Sequence, residues 1–588
     1  MDRPALFGIL LLPQAQLLTA IMLALSAPTI DPALPWQADL GNGTYRNPVL
    51  IGDWSDPDVV RVADSYILTA SSFTESPGLP ILQSKDLVNW TLIGHALPRV
   101  LPDTHFSTPR KGGGVWAPAI RYRNGHFMIY FPDPDRGIFL VTATNPAGPW
   151  SEPVLVDDTK GAIDPAPFWD DDGKGWMVHG FAKSRAGFAN RIVLKALSED
   201  DTHTTGKGTV IIDADAMPKV ETSLGGRPWQ TTEGPKLYKR NGWYYIFVPS
   251  GSVKGGWQGV FRSRSIEGPY EGRDVLDQGR TAVNGPHQGA WVSTPKGEDW
   301  FLHFQDRDTY GRVVLLEPMR WVKDWPIIGK PVGSTGRGEP VEIYKKPNLP
   351  SQPITAPASS DDFKGSLSLA WSFASNPSPD WAKVSGGALH LLAVPGPADL
   401  FENGAILSQR LPGLSFAATT RLTFKPRSSG ETAGLAIHGR TFAWVGLENT
   451  PAGVQVVSYT KHSIKPGDTI SRSPGPLLPE GRVWLRLTAK PALIEVPPPG
   501  FSPYWPSMLR EEQAMASLAY SLNGKTYTDL GEPFLVQPGF WVGARIGLFA
   551  SAPYGTPAAI ATTNGVADFD FFRTAGQNQP QEPAGGRH

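Results

Sequence analysis

Three acidic residues in this chain stand just ahead of a proline and an apolar run: Asp56 before Pro57, Asp164 before Pro165, and Glu233 two residues before Pro235. Carboxyl groups gathered in this number can share acid and base work. One protonates a leaving oxygen, another handles a water or the anomeric carbon, and that pairing is what breaking a glycosidic bond requires. The acid must keep its proton near neutral pH, which calls for burial or a neighbouring negative charge. Alone, each of the three reads as readily as a turn cap at a strand start. Their equivalence within one repeat makes them a set.

The repeat shows best at Ile163 to His179, IDPAPFWDDDGKGWMVH, where an apolar run, an Asp-Gly turn and a second run follow the acid. Asp-Gly and Asn-Gly tolerate the positive φ of tight hairpin turns. The unit recurs as WAPAIRYRNGHFMIYF around Asn124-Gly125 and as TEGPKLYKRNGWYYIFV around Asn241-Gly242. Looser copies open and close the set, SDPDVVRVADSYILTAS and HQGAWVSTPKGEDWFLHF. Copies spaced by roughly fifty to seventy residues signal a repeat architecture, and small sheets repeated round an axis make a β-propeller. The expectation is five blades. SKDLVNW, TNPAGPW and SIEGPY read as one recurring turn near the blade edge. If the first strand of each copy lines the axis, the heads meet at one end of the channel: Asp56, Trp116, Asp164, Glu233 and His287.

Net charge is -1 at pH 7, so nothing favours nucleic acid or a membrane as partner. The 63 Gly and 58 Pro suit a turn-rich all-β protein, and most of the 20 Trp are expected to fill cores between blades. There is no Cys, hence no disulfide or thiolate chemistry. Arg3, the apolar stretches Ala5 to Leu12 and Leu17 to Leu25, and the small residues Ala24, Ser26 and Ala27 predict a signal peptide over 1–27 and export. Pro13, Gln14 and Gln16 interrupt that run and argue against a membrane span.

A leader is expected over 28–46, the propeller over 47–343, with blade five ending near Trp321, and a Pro-rich linker or strap over 344–360. Pro102 to Gly114 is polar and Gly-rich and could rim the site. Short alternating runs over 361–575, among them AATTRLTFKP, FAWVGLEN and ARIGLFAS, predict a concanavalin-like β-sandwich. The Pro-rich Lys490 to Met508 breaks that rhythm, and the polar 576–588 reads as a disordered tail.

On NPVLIGDWSDPDVVRV, GGVWAPAIRYRNGHFMIYF, GAIDPAPFWDDDGKGW, TEGPKLYKRNGWYYIF, HQGAWV and YGRVVLLEPMRW the chain resembles glycoside hydrolase family 43, within it the β-xylosidase-like members with a C-terminal β-sandwich. The resemblance runs from Asn47 to Arg573. It implies an inverting hydrolase with Asp56 as general base, Glu233 as general acid, and Asp164 raising the acid's pKa and holding it in place. It further implies that Arg312 contacts substrate hydroxyls and that Phe73 and Trp116 line the pocket. His287 matches a central histidine that in some relatives helps hold a calcium ion on the axis or hydrogen-bonds near the catalytic centre; no other cofactor is implied. In similar enzymes the sandwich lends an aromatic to close the pocket, and Phe540 or Trp541 is the candidate here.

Two departures stand out: DWSDP lacks the aromatic-Pro or aromatic-Ala that often precedes the Asp-Pro, and Glu75-Ser76 stands where relatives usually carry an aromatic. Both are expected near the sugar, where they bear on substrate rather than reaction. The reading is an exo-acting inverting enzyme releasing terminal xylose from xylo-oligosaccharides, with an α-L-arabinofuranosidase acting on arabinoxylan or arabinan as its rival. A non-catalytic carbohydrate-binding propeller is the distant alternative.

Overall fold

The computed structural model describes residues 34–378, 380–463, 470–496, 509–554 and 564–577. The expected signal peptide, the first part of the leader and all of the tail after Gln577 lie outside those residues.

The five repeats are each four consecutive antiparallel strands, and the sheet of the fourth is extended to six by Gly338–Glu339 and Lys330–Pro331. Their inner strands are Asp58–Val62, Ala119–Arg123, Ala162–Trp169, Lys236–Arg240 and His287–Ser293. Two turns form as their residues dictate. Asn124-Gly125 and Asn241-Gly242 take positive φ at both positions (51° and 83°, 51° and 70°) and close two-residue hairpins. The Asp-Gly turn is longer: Trp169 pairs with Gly175, and Asp170 to Lys174 form the loop.

Apolar side chains of neighbouring blades interlock. Trp90, Trp300 and Leu316 join blades one and five, and Ala166, Trp257 and Phe261 join blades three and four. Trp90 and Trp257 are fully buried, as expected for core tryptophans. The strand expected to end blade five, Arg312–Val322, is its third; Trp325–Ile328 is the fourth.

The leader belongs to the fold. Thr44–Arg46 pairs with Ile343–Lys345, so the ends of the propeller close on one another outside the blades. Tyr45 donates its hydroxyl to Leu316 O at 2.7 Å, and Asn47 Nδ2 donates to Leu316 O and Val341 O. Trp36 enters the core of the second domain. The expected linker is a strap: Lys346 pairs with Asp39 and Asp86, and Thr355 N donates to Asn89 Oδ1. Backbone polar groups along this Pro-rich path thus find partners on the propeller surface.

The second domain is two eight-stranded sheets face to face. Trp371, Phe416, Leu485, Ile546 and Phe569 are buried between them. The rhythm does not break at Lys490. The strand Arg482–Val496 runs on and pairs with Leu509–Ser521 as a long hairpin. Its other neighbour, Phe416–Lys425, pairs with it only to Ala489, so Pro491 removes no hydrogen bond on that edge. The remainder of the Pro-rich stretch, 497–508, lies outside the described residues. Among the described residues no helix is long and apolar enough to cross a membrane.

Candidate active site

The three acids sit where the chain leaves its left-handed turns and enters the inner strands. Asp56 and Asp164, each before a proline, have φ of 55° and 57°. A residue before proline is ordinarily held in the extended region, so these positions are strained, as residues at functional sites often are. In blade four the same position before proline is Gly234, with φ 61°. A Cβ there would lie 2.8 Å from Gln288 Cγ, so only glycine fits, and the acid moves one residue upstream to Glu233. That explains the one-residue offset in its spacing.

The groups converge. Gly234 N donates to Asp164 Oδ2 at 2.8 Å, which ties the third blade to the fourth beside Glu233. Ser71 Oγ donates to Asp56 Oδ2 at 2.6 Å, and Arg312 Nη1 lies 3.4 Å from Asp56 Oδ1. Asp56 and Asp164 are almost wholly buried, whereas the Glu233 side chain keeps 28% of its surface open. Burial, followed by the negative fields of Glu233 and Asp56, pushes the Asp164 carboxyl up to about 8. A proton is therefore retained within the cluster at neutral pH, and in an interacting set it belongs to the group rather than to one member. Burial disfavours the Arg312 charge, but Asp56, Asp306, Asp53 and Glu233 outweigh it and hold the guanidinium protonated.

His287 is fully buried with Nε2 3.1 Å from Glu233 Oε1, so it orients that carboxyl. Its side-chain partner is one carboxylate oxygen, and among the described residues no group of three or more His, Asp or Glu is arranged so that it could hold a metal ion. No step is routed through a metal.

Around the acids lies an aromatic rim. Phe73 is buried and exchanges backbone hydrogen bonds with Val115, a close approach open because Gly114 has no Cβ to strike Phe73 O. Trp116 is half-buried, with Arg185 over its ring and Trp541 meeting it edge-on, centroids 5.1 Å apart. Phe540 packs on Gly112 of the expected rim loop. Both sandwich aromatics thus reach the propeller; Phe540, the first candidate, covers the loop, while Trp541 meets the pocket tryptophan.

The structure corrects the expectation for Glu75-Ser76. Glu75 is ion-paired to Arg545 and Arg410 of the sandwich and accepts from Ser372 Oγ at 3.2 Å, while Ser76 bridges to Phe373. The pair is a domain joint, not a sugar contact. Trp54, in the other departure, is buried under Arg410. Sequence reasoning passed over Ser71 and Lys236. Lys236 is 1% exposed, 3.9 Å from Asp58 Oδ2, and its field reaches Asp164 and Asp56. A lysine two residues beyond Gly234, on a strand that lines the axis, was the available signal.

The comparisons agree with this architecture. The family model for glycosyl hydrolases family 43 matches residues 45–326, and that for the beta xylosidase C-terminal concanavalin A-like domain matches 360–575. The chain is similar to a putative beta-xylosidase of Xylanibacter ruminicola, 35% identical over 515 residues, covering 87% of this chain and 86% of that protein. A non-reducing end alpha-L-arabinofuranosidase of Bacteroides ovatus is 31% identical over 77% of this chain and 85% of its own. Among solved structures, a xylan beta-1,4-xylosidase of Bacillus halodurans superposes with a TM-score of 0.74 at 25% identity, over 90% of this chain and 99% of that one. With three carboxyl groups converging at the mouth of a five-bladed propeller and a sandwich docked on its rim, the chain belongs to glycosyl hydrolases family 43 and is an O-glycosyl hydrolase.

Proposed function

We propose that this enzyme removes terminal xylose from the non-reducing ends of xylo-oligosaccharides with inversion, as a 1,4-β-xylosidase. The observation that carries the exo-acting part is the edge-on contact of Trp541 with Trp116, which walls the rim above the acids. A walled pocket accepts a chain end and excludes a chain passing through.

Asp56 is the general base. Its second oxygen is held by Ser71 and its first lies 3.4 Å from the Arg312 guanidinium, an arrangement that orients it to take a proton from water. Glu233, the most open of the three and held by His287, passes the cluster's retained proton to the departing oxygen. Asp164, its carboxyl pushed up to about 8 by burial and by the fields of Glu233 and Asp56, retains that proton in the cluster and, through Gly234 N, fixes where Glu233 stands. Inversion requires room for water between base and acid, a carboxyl separation of about 6.5–9.5 Å. Phe73 and Trp116 offer ring faces to the sugar.

An α-L-arabinofuranosidase is the second reading, favoured by the relative of that activity noted above. Aryl β-xyloside and aryl α-arabinofuranoside assayed side by side decide between them, with the first-formed anomer followed by NMR. The expected result is faster xyloside turnover giving α-xylose first; β-xylose first would overturn inversion, and faster arabinofuranoside turnover would select the second reading. Export, from the N-terminal segment, belongs to the same proposal.

A further inference from the structure

The turn that carries Arg312 is gripped from outside its own domain. Asp306 ends the second strand of blade five and Arg312, its cross-strand partner, begins the third. The residues between them are bound by the sandwich at several points. Thr309 Oγ1 donates to Val536 O at 2.7 Å, Tyr310 OH donates to Leu414 O at 2.8 Å, and Ala544 N donates to Thr309 O. Arg307 meets Glu512 of the long hairpin through two parallel hydrogen bonds of 2.6 Å, and Glu512 N donates to Asp308 Oδ2 at 2.9 Å.

Charge runs inward from there. Lys254 Nζ donates to Asp306 Oδ1 at 3.0 Å and also to Asp308 Oδ1. Asp306 faces Arg312, whose other side reaches Asp56. The set runs from the sandwich to the proposed catalytic base as Glu512 with Arg307, then, through Glu512 N, Asp308 with Lys254 and Asp306, then Arg312 with Asp56. All its members are at least four-fifths buried, so each charge depends on its partners.

We propose that Glu512 is a positioning residue that sets Arg312 against Asp56 by occupying Arg307. With Arg307 held in a bidentate pair, Lys254 holds Asp308 and shares Asp306 with Arg312, and Arg312 keeps its reach to Asp56 and the substrate. With Glu512 neutralised, Arg307 becomes an uncompensated cation beside Asp306 and Asp308. It competes for them, and the Lys254 and Arg312 contacts redistribute. This rests on the reading of Arg312 as a substrate-facing residue.

The full-length enzyme tests it through kcat/KM on an aryl xyloside and Tm. Glu512→Gln should lower kcat/KM about tenfold, within the range of coupling through one network. Adding Arg307→Met should recover most of the loss, because the stray cation is gone. In an Arg312→Ala background Glu512→Gln should change kcat/KM less than twofold. A full loss that persists in that background, or a double variant no better than Glu512→Gln, overturns the proposal, since a merely structural pair behaves so and lowers Tm with it. Unchanged kcat/KM for Glu512→Gln overturns it too. If Arg312→Ala by itself leaves kcat/KM intact, the reading of Arg312 fails and this inference with it; if Arg312→Ala is damaging and only the background comparison fails, that reading stands and this inference falls.

Discussion

The floor of the site and its rim are built in opposite ways. On the floor, Asp56, Asp164 and Gly234 take the same left-handed turn before proline in three blades, and their partners are backbone groups or buried side chains. The rim meets at Trp116 and Trp541, residues from two domains, and Trp541 keeps 44% of its surface exposed. The floor is rigid because a repeated local geometry is buried; the rim depends on two domains docking. Chemistry needs the first, and on the proposed exo-acting reading the choice between chain end and chain middle needs the second.

Breaking the floor should therefore cost the most. Asp56→Asn should lower kcat by about three orders of magnitude for good and poor leaving groups alike, because water activation is required in both. Glu233→Gln should cost about 10²–10⁴-fold on xylo-oligosaccharides yet much less on an aryl xyloside whose leaving group needs no proton. Equal losses on both substrates would deny it the acid's role. Gly234→Ala should lower stability by about 1–3 kcal/mol, read from urea unfolding, and lower kcat with it, since the new Cβ strikes Gln288 at a φ that L-residues avoid.

A rim substitution should be milder and different in kind. Trp541→Ala should raise KM for xylobiose several-fold while kcat and Tm change little, as expected for an exposed aromatic contact worth about 0.5–1.5 kcal/mol. A kcat loss as large as that of Glu233→Gln would erase the contrast between the two regions.

The last test is read in stability rather than in rate, as a pH dependence. Asp164 is raised from 3.8 to about 8, so the folded protein binds a proton there that the unfolded chain releases. Its contribution is full below about pH 4 and is lost as pH rises toward 8. Asp164→Asn cannot titrate. Its Tm relative to the unsubstituted enzyme should rise between pH 5 and pH 8, and a constant difference would show the carboxyl ionised throughout.

The same contrast governs what could be read without the structure. Asn124-Gly125 and Asn241-Gly242 marked hairpins because their φ preferences are local, and five copies of one unit implied the ring. The acids were legible because each copy places its head at the same end. Glu75 was misread because its partners, Arg410 and Arg545, lie more than three hundred residues away. The leader and the linker looked like connectors because proline and polar residues carry no periodicity, yet hydrogen bonds to the propeller surface hold them.

By itself the chain determined the blades, their turns and the acids at their heads, since these follow from dihedral preference, alternation and repetition over short distances. Only the tertiary structure decided that Glu233 meets His287, that Gly234 must be glycine, that Glu512 reaches the turn of Arg312 and that Trp541 meets Trp116. Those are contacts between segments with no shared local signal, and they come into being when buried charge and apolar surface from distant parts of the chain find partners on folding.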